Sequence, residues 1–285
     1  MDLAAYYDAY WSQADDTFDL DRLALLDNTC WCSSYDPVRL WQLKEAIRAC
    51  HDFAVAFGTP FISGKDSMFN DFSGFAPGGA PVRISVPPTI LISSLGVLED
   101  VARCVSLDFK APGDAVYVLG ATRAELGGSE LLAWWGAAQR GRPYVGTVVP
   151  VPSARSITLY RAYERAVAGG LVTSAEAVAT GGLAVALARQ AIAGALGCSI
   201  DLAKLPEARG LADAELLFSE TPGRIVCTVA PEHREAFEAC LQGEDAVCVG
   251  TVAKERVTIA RGGANVVDAP VTELGAAYRR RFEGF

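Results

Sequence analysis

Ser63-Gly64-Lys65-Asp66-Ser67 gathers in five positions the groups that a phosphate site draws on. Glycine lets backbone N–H groups approach an anion closely, lysine brings a point charge, and serine brings a hydroxyl. The aspartate is a potential Mg²⁺ ligand. The same residues also read as a polar turn after a short strand, and the residues alone leave both readings open. They do not form a Walker A loop, since GxxxxGK[ST] is absent. Gly127-Gly128-Ser129, between a strand and a helix, is a second candidate: its amides could cradle a phosphate, or Ser129 could simply cap the helix.

Other reactive side chains offer less. His51 lies within a helical pattern and His233 at a helix start, and neither has a serine, cysteine or carboxylate at triad-like spacing. Cys30-x-Cys32 could be half of a zinc site, but no second pair completes it. The eight cysteines are scattered through apolar segments such as IVCTV and FEACL, which points to reduced, core-filling thiols. The net charge of −9 comes without a basic stripe, which argues against nucleic acid as a partner. No apolar run is long enough for a membrane span, and the N-terminus has no signal-peptide pattern, so the expected location is the cytoplasm.

The elements that must hold these residues follow from periodicity. A helix is expected for the aromatic segment within residues 1–19 and a buried strand for residues 23–26. A second helix, from Pro37 to about Phe57, is stopped by Gly58-Thr59-Pro60. Phe61-Ile62-Ser63 reads as a short strand running into Gly64, and residues 73–82 as a mobile surface loop. A strand follows Pro87-Pro88, and a domain boundary is expected near Leu107-Asp108. Beyond it strands are expected at 114–121, 171–178, 215–219, 224–230 and 246–252. Helices are expected through Trp134 and Trp135 and over 153–168, 183–196 and 231–241. Alternation of this kind implies a layered α/β fold, class α/β (α+β layered). At 285 residues there is chain for two domains, 1–107 and 108–285.

Several of these segments, taken in order, resemble the phosphoribosylformylglycinamidine synthase family, within the aminoimidazole ribonucleotide synthase (PurM-like) superfamily. Residues 58–71, GTPFISGKDSMFND, follow the family pattern GTP-[VF]-[IV]-[SG]-G-[KN]-x-S-[LM]-x-N-[ED]. Asp27-Asn28-Thr29-Cys30-Trp31 follows D-[NC]-x-[CN]-[WF], 37 positions ahead of Gly64 (64 − 27). PPTILISSLGVLEDV, DFKAPGDAVYVLG, ELGGSELL and LLFSETPGRIVCTV follow in order, so the likeness runs over about residues 20–285. It implies the end of a barrel-forming first domain, then a complete C-terminal α/β domain. By position it implies ATP contacts for Asp27 and Gly64, a substrate contact for Ser67, and an Mg²⁺ role at Lys65. Asp27 and Ser67 should then face one pocket.

Two departures qualify this. An ammonium cannot coordinate a metal, so Lys65 would bind phosphate directly or Asp66 would take the ion. The family's D-[LV]-S-D-G-G-L segment reads Ala177-Val178-Ala179-Thr180-Gly181-Gly182-Leu183 here, without its acids and serine. The family's metal-holding Glu and Asn are also missing from LAAYYDAYWSQ. Glu220 and Arg224 match the family's E-S-x-[SG]-R segment, either at substrate or as a strand-end anchor. The implied reaction is ATP-dependent amidine formation with ATP and Mg²⁺. The implied partners are the catalytic N-terminal half, which carries the catalytic histidine, and a glutamine amidotransferase. No catalytic residue is expected in this chain, and alone it should not turn over. The rival reading is a structural or assembly segment with a decayed nucleotide site.

Overall fold

The computed structural model describes residues 23–98 and 100–280. The helix expected within residues 1–19 lies outside them. The chain divides into two compact units, one up to Val101 and the other from Ala102.

The first unit is built on a β–α–β element. Strand β1 (Leu23–Cys30) leads to helix α1 (Pro37–Phe57) and then strand β2 (Phe61–Ser67), which returns parallel to β1. Helix α1 begins where the sequence dictates. Asp36 accepts the Val38 and Arg39 amides at 2.8 and 3.3 Å, and Pro37 has no N–H to leave unpaired. It ends at Gly58, whose φ of +69° is the left-handed cap that glycine tolerates best. Strand β5 (Thr89–Gly96) pairs antiparallel on the other side of β1, giving the order β2-β1-β5. Residues 73–82, expected as a loop, lie in a hairpin: β3 (Phe72–Phe75) pairs with β4 (Pro81–Ile84). Gly78 and Gly79, both at positive φ, make its turn.

The second unit is a three-layer sandwich. Its strands are β6 (Ala115–Leu119), β7 (Ser174–Val178), β8 (Gly197–Asp201), β9 (Arg224–Val229), β10 (Ala246–Ala253), β11 (Arg256–Arg261) and β12 (Ala264–Pro270). They form one sheet in the order β12-β11-β8-β10-β6-β9-β7, antiparallel except for the β8–β11 pair. The helices are α2 (Glu130–Arg140), α3 (Ser156–Ala168), α4 (Gly182–Gly194), α5 (Asp213–Phe218), α6 (Arg234–Cys240) and α7 (Val271–Arg279). All five residues of β6 are buried because both faces are covered. Val116 and Val118 join one core with Leu183, Leu187 and Leu216; Ala115, Tyr117 and Leu119 join the other with Leu159, Ala162 and Phe237.

Residues 215–218, expected in a strand at 215–219, lie in helix α5. The Glu215 carboxylate accepts the Ala212 amide at 2.8 Å, a first-turn contact that only a helical turn brings into reach. All eight cysteines are free thiols. No helix among the described residues is long and apolar enough to cross a membrane.

Candidate functional site

Gly64-Lys65-Asp66-Ser67 lies inside strand β2, not in a loop beyond it. Asp27 pairs with Gly64, Asn28 with Lys65, Thr29 with Asp66 and Cys30 with Ser67. Part of the backbone hydrogen bonding of this stretch is therefore spent on β1, and the amides are not the bare set a phosphate loop presents. The pairing explains the glycine. The Asp27 carboxylate lies over the Gly64 Cα, so that a Cβ there would sit 3.0 Å from the carboxyl carbon and closer still to one oxygen. Asp27 also accepts the Thr29 hydroxyl at 3.0 Å, and Thr29 is buried.

Paired residues on neighbouring strands point to the same side of a sheet, and successive residues alternate. Asp27, Thr29, Gly64 and Asp66 therefore share one face, and Asn28, Cys30, Lys65 and Ser67 share the other. Side-chain contacts bear this out. Lys65 Nζ donates to Ser67 Oγ, and Asn70 Nδ2 donates to the Ser67 carbonyl at 3.0 Å and meets Cys30 Sγ at 3.3 Å. Helix α1 lies over the Asp27 face: burial first, then the negative Asp27, pushes the Cys50 thiol up. The structure thus brings Asp27 to Gly64 and Lys65 to Ser67, but the two pairs do not face one pocket, contrary to the sequence expectation. The reason is the strand itself, since a period of two separates neighbours that a loop could have turned the same way.

Asp71 closes the GTPFISGKDSMFND segment but is not among the site residues expected from it. Its carboxylate takes a 3.0 Å bond from Arg83 and the amides of Ser33 and Val86, at 3.4 and 3.3 Å. Arg83 first, then these neighbouring donors, hold it below the usual carboxylate range. It fastens both ends of the β3–β4 hairpin beside a groove of about 510 Å³ that Tyr35, Arg39 and Ser85 also line.

In the second unit the Gly127-Gly128-Ser129 cradle is already filled by protein. Gly127 N–H donates to Val148 O and Gly128 N–H to Val145 O, both at 2.6 Å, and Ser129 N–H donates to Leu126 O at 3.1 Å. The buried Ser129 hydroxyl accepts the Leu132 amide and caps α2. The N-cap alternative therefore describes this segment, and the phosphate cradle does not. Glu220 completes the picture: one carboxylate oxygen takes the Glu130 amide at 3.0 Å and the Gly181 amide at 2.8 Å. A protein carboxylate thus occupies the N-terminal ends of both α2 and α4, where a helix dipole would attract an anion. Arg224, 2% exposed, anchors the strand end. It donates to Thr221 O and Thr122 Oγ1, each at 3.1 Å, and to Ser219 O. Burial pulls its guanidinium down to about 10. His51 is exposed and meets Asp52, and Trp135 packs against Tyr144 with Arg140 over both rings.

The second unit's strands and helices match the family model described as AIR synthase related protein, C-terminal domain, over residues 111–262, more than half the chain. The chain belongs to this family. Among AIR synthase related proteins it is 31% identical, over 256 residues, to the phosphoribosylformylglycinamidine synthase subunit PurL of Thermococcus sibiricus. That alignment covers 90% of this chain and 33% of the relative. The chain thus spans about a third of the length of the curated relatives it matches. A solved structure, T. maritima PurL complexed with FGAR, superposes with a TM-score of 0.65 at 18% identity, covering 95% of this chain and 41% of that one. Hydrogenase maturation protein HypE superposes at 0.59 and 19%, covering 87% and 77%. Likeness at these identities establishes the shared fold.

Magnesium, which the synthase resemblance implies, fits this unit's donor set poorly. Among the described residues no cluster of three or more His, Cys, Asp or Glu side chains could hold a metal. The carboxylates of Asp27 and Asp66 are on the face away from Lys65 and Ser67, so Asp66 cannot replace Lys65 from the same side of the strand.

Proposed function

We propose that this chain is part of an ATP-dependent phosphoribosylformylglycinamidine synthase. On this reading the whole enzyme phosphorylates the amide oxygen of formylglycinamide ribonucleotide. Ammonia delivered by a glutamine amidotransferase then displaces phosphate to give the amidine. The 31% identity across nine-tenths of the chain to a PurL subunit supports the assignment. The observation that carries the site is the Asp27 carboxylate resting on Gly64, a position with no room for a side chain. Residues 1–107 would form the end of a barrel-forming domain and 108–285 a complete C-terminal domain. By position Asp27 and Gly64 would meet nucleotide and Ser67 substrate; Lys65, on the Ser67 face of the strand pair and away from Asp27, would meet the phosphate of the substrate. Positioning and charge neutralisation around the transferring phosphoryl group are what such residues supply. The general acid–base chemistry would come from the catalytic half, and the whole would work in the cytoplasm.

The test is turnover with ammonia supplied directly. The 285-residue chain alone should form no amidine, and adding the polypeptide that carries the remainder of the enzyme should restore it. Product from the isolated chain would overturn the division of labour.

A structural role inside the same enzyme is the second reading, and Glu220 favours it. With the amides of Gly127, Gly128 and Gly181 all committed to protein acceptors, the second unit offers no open phosphate cradle at these positions. Calorimetry with Mg-ATP on wild type and Asp27→Ala separates the two. Heat lost in the variant supports binding, whereas no heat in either supports the structural role.

A further inference from the structure

The three-stranded sheet of the first unit carries different chemistry on its two faces. One face holds carboxylates, Asp27 and Asp66. The other holds the Lys65 ammonium, the Ser67 hydroxyl and the Asn28 amide, set side by side by the β1–β2 register, with no carboxylate from β1 or β2. Lys65 donates to Ser67 Oγ, so the serine's own hydrogen remains free to donate, and the ammonium keeps two further N–H groups. Lys65 is exposed and Ser67 half-buried, at the carboxyl end of β2. In sheets with parallel strands, that end is where ligands approach.

We propose that the Lys65–Ser67 face binds a phosphate group directly, with no divalent cation between protein and anion. This rests on β2 being the ligand strand of the proposed synthase, and it deepens that reading by removing the metal from this half of it. An ammonium has donors but no lone pair, and its positive charge repels a second cation. Asn70, a further polar side chain close to Ser67, directs its amide nitrogen to the Ser67 carbonyl and the Cys30 sulfur. The carboxylates that would hold Mg²⁺ lie through the sheet. Asp27 there takes the Thr29 hydroxyl, and Asp66 pairs with Thr29 on the same side. A charge-assisted bond from Lys65 together with the Ser67 hydroxyl supplies for one phosphate what a bridging ion would otherwise supply.

The experiment is a titration of the 285-residue chain with inorganic phosphate, followed by the amide resonances of residues 64–67. It is run once in EDTA and once with excess Mg²⁺. The expected result is saturable shifts in both, with dissociation constants within about twofold of each other. Lys65→Met should weaken binding at least tenfold and Lys65→Arg should recover most of it. Because position 65 is exposed, unchanged melting temperatures will show that these variants fold. Shifts that appear only with Mg²⁺ and persist in Lys65→Met overturn the inference while leaving β2 as the ligand strand. Absence of shifts in both conditions overturns the inference and removes β2 from the site as well.

Discussion

Replacing Gly64 by alanine tests the Asp27–Gly64 contact. The new Cβ would lie 3.0 Å from the Asp27 carboxyl carbon and inside contact distance of one oxygen, with the second oxygen at 3.4 Å. The neighbour that must yield is a short side chain on an adjacent strand, so relief comes from rotating the Asp27 carboxylate away. Rotation breaks the 3.0 Å bond from Thr29, a buried residue, at about 0.5–1.5 kcal/mol. Crowding of this kind adds about 1–3 kcal/mol. Alanine's smaller backbone entropy loss returns about 0.5–1 kcal/mol. These terms combine to about 0.5–4 kcal/mol, with a destabilisation of about 1–3 kcal/mol as the central expectation. Urea unfolding can measure it, read by tryptophan fluorescence with buried Trp31 as the nearby reporter. With a slope near 2 kcal/mol/M the midpoint should fall by roughly 0.5–1.5 M. If the cause is the carboxylate, Asp27→Ala in the same chain makes room for the methyl, so the double variant should cost about 1–2 kcal/mol less than the two single costs combined. Strictly additive costs would refute the steric argument.

Three further outcomes follow from the same contacts. Arg224→Ala removes a buried guanidinium that holds two carbonyls and a hydroxyl, so a loss of about 3–5 kcal/mol is expected; Arg224→Lys should restore little, because an ammonium cannot span that fork, and thermal unfolding checks both. Gln190 is fully buried and neither end of its amide meets a hydrogen-bond partner among the described residues, so Gln190→Met should raise stability by about 1–2 kcal/mol, and a lower melting temperature would contradict this. Asp71 has a folded-state pKa below its unfolded value, so its contribution is fully present above about 4, the unfolded carboxylate value, and is lost as pH falls through the lower folded one. Hydrogen exchange of the Val86 amide should accelerate through that acid window, and Asp71→Asn should abolish the dependence.

How much of this was legible in the sequence depends on where the determining contact lay. Helix α1 was readable from residue to residue because its start and stop are local: Asp36 and Pro37 at one end, Gly58 at the other. Strand β2 was read too short. Gly64-Lys65-Asp66-Ser67 has the composition of a turn, and what keeps it extended is pairing with β1, 37 positions upstream. Once that strand is known, a period of two separates Asp27 and Gly64 from Lys65 and Ser67, so the division of the site was latent in the spacing. Strands β8, β11 and β12 and helix α7 gave no clear local pattern, and neighbours distant in sequence hold them. The role of Asp71, although it closes the GTPFISGKDSMFND segment, was not legible, since its partners come from positions 33, 83, 85 and 86.

The Gly181-Gly182 pair shows why a motif can outlive the chemistry a resemblance attaches to it. Both glycines have positive φ, +83° and +69°. A Cβ at Gly182 would sit 2.7 Å from the Leu217 carbonyl and from the Phe218 Cα at the end of α5. The fold therefore demands glycine here whether or not an anion binds. No such demand acts on the exposed Ala177, Ala179 and Thr180, whereas Val178 between them is held in the core. Helix α4 still begins with amides that need an acceptor, and Glu220 supplies one for Gly181 while also holding α2 through Glu130. A carboxylate built into the chain satisfies both ends permanently, at the expense of any exchangeable anion. The retained glycines then need no anion to explain them: packing against the end of α5 fixes Gly182, and the Glu220 carboxylate meets the Gly181 and Glu130 amides from within the chain.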